Sequence, residues 1–200
     1  MTHFIFVRHG QTDWNRENRF RGRLDIPLND VGKAQARRVG EHLAQTPLAA
    51  IYASPVSRTM VTAEFIAHPH NLSVMPRAEL YDLDYGNWQG KTPSEIEPTQ
   101  YALWLREPAR VKFPGGESLS DVRARLVKLV AELSATHEDE TVVLVSHDLV
   151  GKILICALLN ADSNSIHRVQ QDNACINRFS VENGNYVLRA LNETSHLKMP

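Results

Sequence analysis

The chain has few of the features that mark secreted, membrane-spanning and nucleic-acid-binding proteins. It contains only two cysteines, Cys156 and Cys175, which are too few for a disulfide framework. The apolar run from Ile153 to Leu159 is far shorter than a membrane span. The 22 Lys and Arg residues nearly balance the 23 Asp and Glu residues, so the chain lacks the basic excess typical of nucleic-acid binders.

The first residues also lack the pattern of a secretory leader. No basic segment precedes the apolar run Phe4 to Val7, and that run is too short for a signal peptide. We therefore expect a cytoplasmic protein without nucleic-acid or membrane partners. The 200 residues, of which 42% are hydrophobic, are enough to build one domain with a substantial core. We expect that single domain to cover residues 1–200.

Short apolar runs alternate with segments of helical periodicity along most of the chain. The runs predict strands at 4–7, 50–53, 72–75 and 141–145, and a hairpin at 174–181 and 185–192. Helical patterns begin near Leu28, Ser54, Ser118 and Leu149. The candidate N-caps are Asn29 or Asp30 for the first of these helices, Ser54 for the second, and Ser118 or Ser120 for the third. The stretch 81–113 is irregular. This alternation predicts a three-layer α/β/α domain with a mostly parallel central sheet.

Two arginines and two histidines come directly after the predicted strands. Arg8 and His9 end the first strand, Arg58 lies one turn beyond the second, and His147 follows the strand at 141–145. Because ligands of parallel sheets bind beyond the carboxyl ends of the strands, we expect these side chains to converge there. The segment 82–86 should join them.

This set of side chains suits a phosphoryl group better than a metal ion. Two guanidinium groups would repel a divalent cation, whereas their paired donors match phosphate oxygens. No glycine-rich nucleotide loop and no G-x-S-x-G elbow is present, which leaves the imidazole of His9 as the candidate nucleophile. Positive charge around His9 would lower its pKa. The leaving oxygen needs a proton, and the candidate donors are Asp82, Asp84 and Asp148.

Six segments of the chain form an ordered set of motifs. They are RHGQTDWN at 8–15, FRGRLDIPL at 20–28, SPVSRTMVTA at 54–63, LYDLDYGNWQG at 80–90, FPGGES at 113–118 and VSH at 145–147. Together they resemble the histidine phosphatase superfamily, the phosphoglycerate-mutase-like proteins, in its branch of small intracellular members. The resemblance covers about residues 4–155 and implies the fold of that family.

The resemblance also implies a role for each matching position. His9 would carry phosphate during turnover. The phosphoryl group would be bound by Arg8, Asn15, Arg58 and His147. Arg21 and Gly22 would lie on the substrate side of the pocket.

The proton donor is the position at which the chain departs from the family pattern. Asp82 stands where the family usually has a glutamate that donates the proton. Asp148 is the alternative, because a more distant acid-phosphatase branch uses an aspartate directly after the histidine. Gln89 replaces a second glutamate of the same motif. We assign the donor role to Asp82.

The function that the resemblance implies is a metal-independent phosphatase. It would act on a small phosphorylated metabolite through phosphohistidine, with no cofactor. The alternatives are a phosphoglycerate mutase and a non-catalytic phosphate-binding module. Mutases of the family are usually longer and carry a Glu-Arg-His-Tyr-type run where this chain has residues 82–85, DLDY. A pure binder needs neither His9 nor an acid, so we expect the phosphatase.

Overall fold

The computed structural model describes residues 1–198, which build a six-stranded sheet with helices on both faces. The strands are β1 (Thr2–Arg8), β2 (Ala50–Ala53), β3 (Val74–Pro76), β4 (Thr141–Ser146), β5 (Ile176–Glu182) and β6 (Asn185–Glu193). The α-helices are α1 (Asp13–Arg16), α2 (Asp30–Leu43), α3 (Ser57–Ala67), α4 (Pro98–Arg106), α5 (Leu119–Thr136) and α6 (Asp148–Leu158). Short 3₁₀ helices occupy His68–His70, Ala78–Leu80, Gly86–Trp88, Pro93–Glu95, Pro108–Arg110, Ser163–Arg168 and Ser195–Lys198. Within residues 1–198, no helix is long and apolar enough to cross a membrane.

The sheet is parallel except at one edge. Its strand order is β3-β2-β4-β1-β5-β6, and β5 pairs antiparallel with both β1 and β6. Arg8 pairs with Ser146, and Ala53 pairs with Val145. The carboxyl ends of β1, β2 and β4 therefore lie at nearly the same level of the sheet, where residues that follow these strands can meet.

Alternation of side chains along the strands divides the core into two layers. Ile5, Ile51 and Val143 point to the face covered by α2 and α3, where they pack with Val39 and Ile66. Their neighbours along the strands point to the face covered by α5 and α6. On that face the buried cluster includes Phe4, Phe6, Val142, Leu144, Leu126, Leu129, Ile153 and Leu154. The expected three-layer α/β/α domain is thus confirmed.

Several predicted boundaries differ from the structure by one to three residues. The second long helix begins at Ser57, with Val56 at its N-cap, so the expected cap at Ser54 is wrong. The hydroxyl of Ser54 contacts His147 instead, 93 residues away in the chain. The third strand covers Val74–Pro76 rather than 72–75. The caps predicted at Asn29 and Ser118 are confirmed, because their side chains accept from the backbone N–H groups of Gly32 and Asp121.

The irregular stretch between β3 and α5 is held by aromatic side chains. The Phe113 ring packs edge-on against Tyr85, Trp88 and Trp104, with ring centroids 5.2, 5.0 and 5.6 Å away. Phe20 packs edge-on against Tyr85 at 5.0 Å. These edge-to-face contacts fix a segment that has little regular secondary structure, and they link it to the loop after α1.

Gly32, in the first turn of α2, allows this helix to lie directly against the backbone that follows His9. A methyl group built on Gly32 would lie 2.0 Å from the carbonyl oxygen of Gln11. A Gly to Ala change inside a helix ordinarily stabilises the helix by about 1 kcal/mol. We predict that Gly32→Ala instead lowers the free energy of unfolding by about 2 kcal/mol, because backbone atoms on both sides must shift. Urea denaturation measures this change.

The neighbouring Lys33 supplies a matched control. It is exposed, so Lys33→Ala should change the free energy of unfolding by less than about 0.5 kcal/mol. A Gly32→Ala protein as stable as the parent would contradict the close backbone contact.

Candidate active site

The residues predicted to converge beyond the strand ends do meet. The rings of His9 and His147 lie edge to face, with centroids 5.3 Å apart. The Nη2 atom of Arg58 lies 3.3 Å from Nδ1 of His147, and Oδ2 of Asp82 lies 4.0 Å from the same nitrogen. Both histidines and Arg58 are completely buried, and Asp82 is 5% exposed. Charged and polar groups from four distant segments thus share one buried site.

The hydrogen bond of His9 leaves one of its ring nitrogens free. Nδ1 lies 2.6 Å from the carbonyl oxygen of Gly10. Because a carbonyl only accepts, the neutral ring carries its proton on Nδ1, and Nε2 keeps its lone pair. Nε2 is buried and has no hydrogen-bond partner among residues 1–198. Burial, reinforced by the charges of Arg58 and Arg8, holds the pKa of His9 well below its usual range. An unprotonated imidazole nitrogen in cationic surroundings can attack an electrophilic phosphorus.

His147 adopts the opposite tautomer. Its Nε2 lies 2.9 Å from Oγ of Ser54, and its Nδ1 faces the guanidinium of Arg58. Because a guanidinium only donates, Nδ1 accepts and Nε2 donates to the Ser54 hydroxyl. Burial is the main reason that the pKa of His147 lies well below its usual range, with Arg58 the next contributor. Ser54 directly follows the second predicted strand, so its presence at the strand ends was expected, whereas its hydrogen bond to His147 was not.

The loop after α1 fixes the guanidinium of Arg58. Nη1 donates to the Leu24 carbonyl at 2.7 Å, and Nη2 donates to the Gly22 carbonyl at 2.8 Å. Burial lowers the pKa of Arg58 to about 10, so the group stays charged at neutral pH. Gly22 has φ +54°, and a Cβ there would lie 2.3 Å from Oε1 of Gln89. That oxygen accepts from the backbone N–H of Arg23 at 2.8 Å, which gives Gln89 a place in holding the loop.

Arg8 is oriented by Gln171, which precedes β5, and by Asp148, which begins α6. Its Nη1 donates to the carbonyl of Gln171 and lies 3.5 Å from Oδ1 of Asp148. The side chains of Gln171 and Asn177 exchange two hydrogen bonds, of 2.9 and 2.8 Å, in a buried amide pair that steadies this segment. Sequence reasoning missed the pair, although a polar Asn177 within an apolar strand was a signal of a buried partner.

The four arginines after the first motif have different surroundings. Arg19 pairs with Glu17 at 2.6 Å, Arg23 pairs with Glu117 at 2.9 Å, and Arg16 is exposed. Arg21 faces the site: it lies in the cavity wall, its Nη1 donates to the Trp14 carbonyl at 3.2 Å, and its Nε has no partner. Burial lowers the pKa of Arg21. Arg19 borders the same cavity but is paired with Glu17, whereas within residues 1–198 Arg21 keeps a donor without a partner.

The side chain of Asn15 makes local hydrogen bonds. Its Oδ1 accepts from both the backbone N–H and the hydroxyl of Thr12, each at 2.9 Å, which closes the first turn of α1. Its role as a phosphoryl donor, implied by the resemblance, stays a prediction.

The three candidate acids differ in environment. Asp82 is buried, and burial raises its pKa even though Arg58 and Arg21 oppose the shift. Asp84 accepts from the backbone N–H of Gly86 at 2.9 Å and closes a turn. Asp148 begins α6, and its Oδ2 accepts from Nζ of Lys152 at 3.0 Å. Asp82 is therefore the carboxyl whose surroundings favour the protonated form that a general acid requires.

A cavity of about 230 Å³ adjoins these groups. Its wall includes Arg21, Asp82, Tyr85, Trp104, Asp148 and Lys152. The cavity is of a size for a small organic group, and its wall carries both aromatic and charged side chains. Within residues 1–198, no cluster of three or more His, Cys, Asp or Glu side chains is arranged to hold a metal ion.

The two tautomers can be observed directly. An unperturbed imidazole has a pKa near 6.5 and is mostly protonated at about pH 5.5. Because the pKa values of His9 and His147 are both lowered, both rings should remain neutral at that pH. Long-range ¹H–¹⁵N correlation spectra of ¹⁵N-histidine-labelled protein should show the proton on Nδ1 of His9 and on Nε2 of His147. His9→Gln and His147→Gln proteins assign the signals, and an imidazolium pattern for His9 would contradict the geometry.

Known proteins resemble this chain over almost its whole length. The model of the histidine phosphatase superfamily, branch 1, matches residues 4–194. Phosphoserine phosphatase 1 of Hydrogenobacter thermophilus is 36% identical over 200 residues, covering 98% of this chain and 95% of that protein.

Solved structures agree with the sequence match. A Bacillus stearothermophilus protein, YhfR, superposes with a TM-score of 0.94 at 29% identity, covering 99% of this chain and 100% of that one. A variant of Entamoeba histolytica phosphoserine phosphatase, solved with phosphoserine, superposes with a TM-score of 0.90 at 30% identity, covering 98% and 100%. The motifs, the strand-end site and these similarities together show that the chain belongs to the histidine phosphatase superfamily.

Proposed function

We propose that this histidine phosphatase hydrolyses small phosphomonoesters through a phosphohistidine intermediate on His9. The observation that carries the proposal is the free lone pair of Nε2, which is buried among guanidinium groups while Nδ1–H donates to Gly10. This arrangement supplies a neutral nucleophile and, around it, the positive charge that a transferring phosphoryl group needs. A non-catalytic phosphate-binding module would have no need of an unprotonated imidazole at this point.

In the first step, Nε2 of His9 attacks phosphorus and the bond to the ester oxygen breaks. Arg8 and Arg58 hold the phosphoryl oxygens through charge and hydrogen bonds. His147 joins them when its Nε2–H donates to a phosphoryl oxygen in place of the Ser54 hydroxyl. As the N–P bond forms, the ring becomes positively charged, and its Nδ1–H continues to donate to Gly10. Asp82 gives its proton to the leaving oxygen, so the alcohol departs neutral and a carboxylate remains.

In the second step, the Asp82 carboxylate takes a proton from a water molecule, whose oxygen attacks phosphorus. The N–P bond breaks and its electron pair returns to Nε2 of His9. Phosphate leaves, and Asp82 is again protonated for the next cycle. The guanidinium groups supply the charge stabilisation that a metal ion provides in other phosphatases.

The organic part of the substrate would occupy the cavity beside Asp82. Two of the three relatives named above, those from Hydrogenobacter thermophilus and Entamoeba histolytica, are phosphoserine phosphatases, which supports phosphoserine as a substrate of this chain. We propose no nucleic-acid or membrane partner. The cytoplasmic location expected from the sequence stays a prediction.

His9→Ala tests the nucleophile. Loss of the attacking nitrogen should lower kcat by roughly 10³-fold or more on any phosphomonoester, because covalent catalysis is removed. Acid-quenched parent enzyme should carry acid-labile phosphate, and the variant should carry none. A variant that retains a tenth of the parent activity would refute the mechanism. Phosphoglycerate mutase activity, assayed beside hydrolysis, should be far below the phosphatase rate; if it is not, the mutase alternative is correct.

Asp82→Asn tests the proton donor through the leaving group. An alkyl alcohol, with a pKa of about 15, needs the proton, whereas p-nitrophenol, with a pKa of about 7, leaves without it. In single-turnover measurements, the variant should lose about 10²-fold or more on an alkyl phosphate and much less on p-nitrophenyl phosphate. Asp148→Asn is the control. If that change alone causes the leaving-group-dependent loss, the donor is Asp148.

The pH dependence gives an independent test of the same role. Burial raises the pKa of Asp82, and the protonated form is the active one in the first step. The parent rate on an alkyl phosphate should therefore decline as the pH rises through that raised pKa, and Asp82→Asn should lack this alkaline decline. Ionisation of the substrate affects the parent and the variant equally. If the decline is unchanged in Asp82→Asn, another titrating group causes it.

A further inference from the structure

We propose that Asp148 and Lys152 recognise the ammonium and the carboxylate of a substrate's organic part, so that the enzyme prefers phosphomonoesters of hydroxy amino acids. The inference rests on the proposed phosphatase function and adds two specificity-determining residues to it. Both side chains lie in the wall of the cavity beside Asp82.

The two residues lie one helical turn apart on α6, which begins directly after His147. Positions i and i+4 share one helix face, and here Nζ of Lys152 lies 3.0 Å from Oδ2 of Asp148. The helix therefore presents a negative and a positive group side by side, next to the phosphoryl-binding histidine. The ammonium and carboxylate of an amino acid are attached to one carbon, so they are neighbours as well. In the proposed complex, the substrate's ammonium pairs with Asp148 and the substrate's carboxylate pairs with Lys152.

Asp148 has acceptor capacity to spare. Its Oδ1 makes no hydrogen bond and lies 3.5 Å from Nη1 of Arg8, and its Oδ2 accepts from Lys152. An ionised carboxylate has about four lone-pair sites, so an ammonium can be added without displacing Lys152. The side chain is 29% exposed, and the cavity is the space it borders.

Lys152 has donors to spare. Its ammonium carries three N–H groups. Within residues 1–198, it donates one side-chain hydrogen bond, to Asp148. The side chain is 20% exposed. Arg21 also lines the cavity, and its buried Nε has no hydrogen-bond partner within residues 1–198, so a second cation borders the space that a carboxylate would enter.

The remaining walls limit the length of the organic group. Tyr85 and Trp104 are buried aromatic residues that line the cavity and are fixed by Phe113. With a cavity volume of about 230 Å³, a short carbon chain that bears both charges fits this description better than a nucleoside or a disaccharide. A hydroxy amino acid phosphate is that kind of molecule.

A panel of esters separates the two recognition events. O-phosphoserine carries both charges, phosphoethanolamine carries only the ammonium, phosphoglycolate carries only the carboxylate, and ethyl phosphate carries neither. For each ester, kcat/KM is measured for the parent protein, Lys152→Met and Asp148→Asn. Dividing by the value for ethyl phosphate removes any effect on the phosphoryl site, including one that reaches it through Arg8.

The expected losses follow the charges. Lys152→Met should lower the normalised kcat/KM by about tenfold or more on phosphoserine and phosphoglycolate, but not on phosphoethanolamine. Asp148→Asn should lower it by a similar factor on phosphoserine and phosphoethanolamine, but not on phosphoglycolate. Lys152→Arg keeps the charge and should retain most of the preference. Lys33→Met, which breaks a surface ion pair with Asp30, is the matched control and should change no ratio.

Several results would overturn the inference. They are a parent enzyme that hydrolyses all four esters equally well, and losses that are the same on every ester. If Asp148→Asn lowers activity on 3-phosphoglycerate as much as on phosphoserine, Asp148 accepts from a hydroxyl as readily as from an ammonium and the amino acid assignment is wrong. Should a variant fail to fold, as judged by circular dichroism, the Lys152→Arg to Lys152→Gln comparison decides the carboxylate contact. Failure of the proposed function is distinct, since the parent would then hydrolyse neither ethyl phosphate nor p-nitrophenyl phosphate.

Discussion

The buried guanidinium of Arg58 is the charge on which the rest of the site depends. Taking a cation out of water is costly unless hydrogen bonds replace the lost hydration, and here two backbone carbonyls, of Gly22 and Leu24, accept from it. The loop that supplies them must therefore lie against the start of α3. The same guanidinium faces Nδ1 of His147, which fixes the tautomer of that ring. Loop, helix and strand end are held in one arrangement by a single planar group.

Burial acts on the acid and the base of this site in opposite directions. It lowers the pKa of His9 and raises that of Asp82, because in both cases it disfavours the charged form. Burial therefore favours a neutral imidazole and a neutral carboxyl within one site that also holds charged arginines. That is the combination of nucleophile, acid and electrostatic support that phosphoryl transfer from an alkyl ester demands.

Much of the fold was predictable because its determinants are local. The apolar runs of β1 and β4 and the caps at Asn29 and Ser118 depend on neighbouring residues, and they are where the pattern predicted them. The parallel sheet followed from alternation of strands and helices, and the ligand rule for such sheets predicted that His9 and His147 would meet. The family resemblance then supplied residues, such as Asp82, that no periodicity distinguishes.

The sequence by itself determined which side chains lie at the carboxyl ends of the strands. Only the tertiary structure decided how each is held and protonated. Ser54 contacts His147 across 93 residues, and Gln171 and Asn177 orient a carbonyl toward Arg8, 163 residues away. A local pattern carries no record of a hydrogen-bond partner that distant, nor of the burial that shifts a pKa. The lone pair on His9 is therefore a property of the folded protein, set by the carbonyl beside it and the charges packed around it.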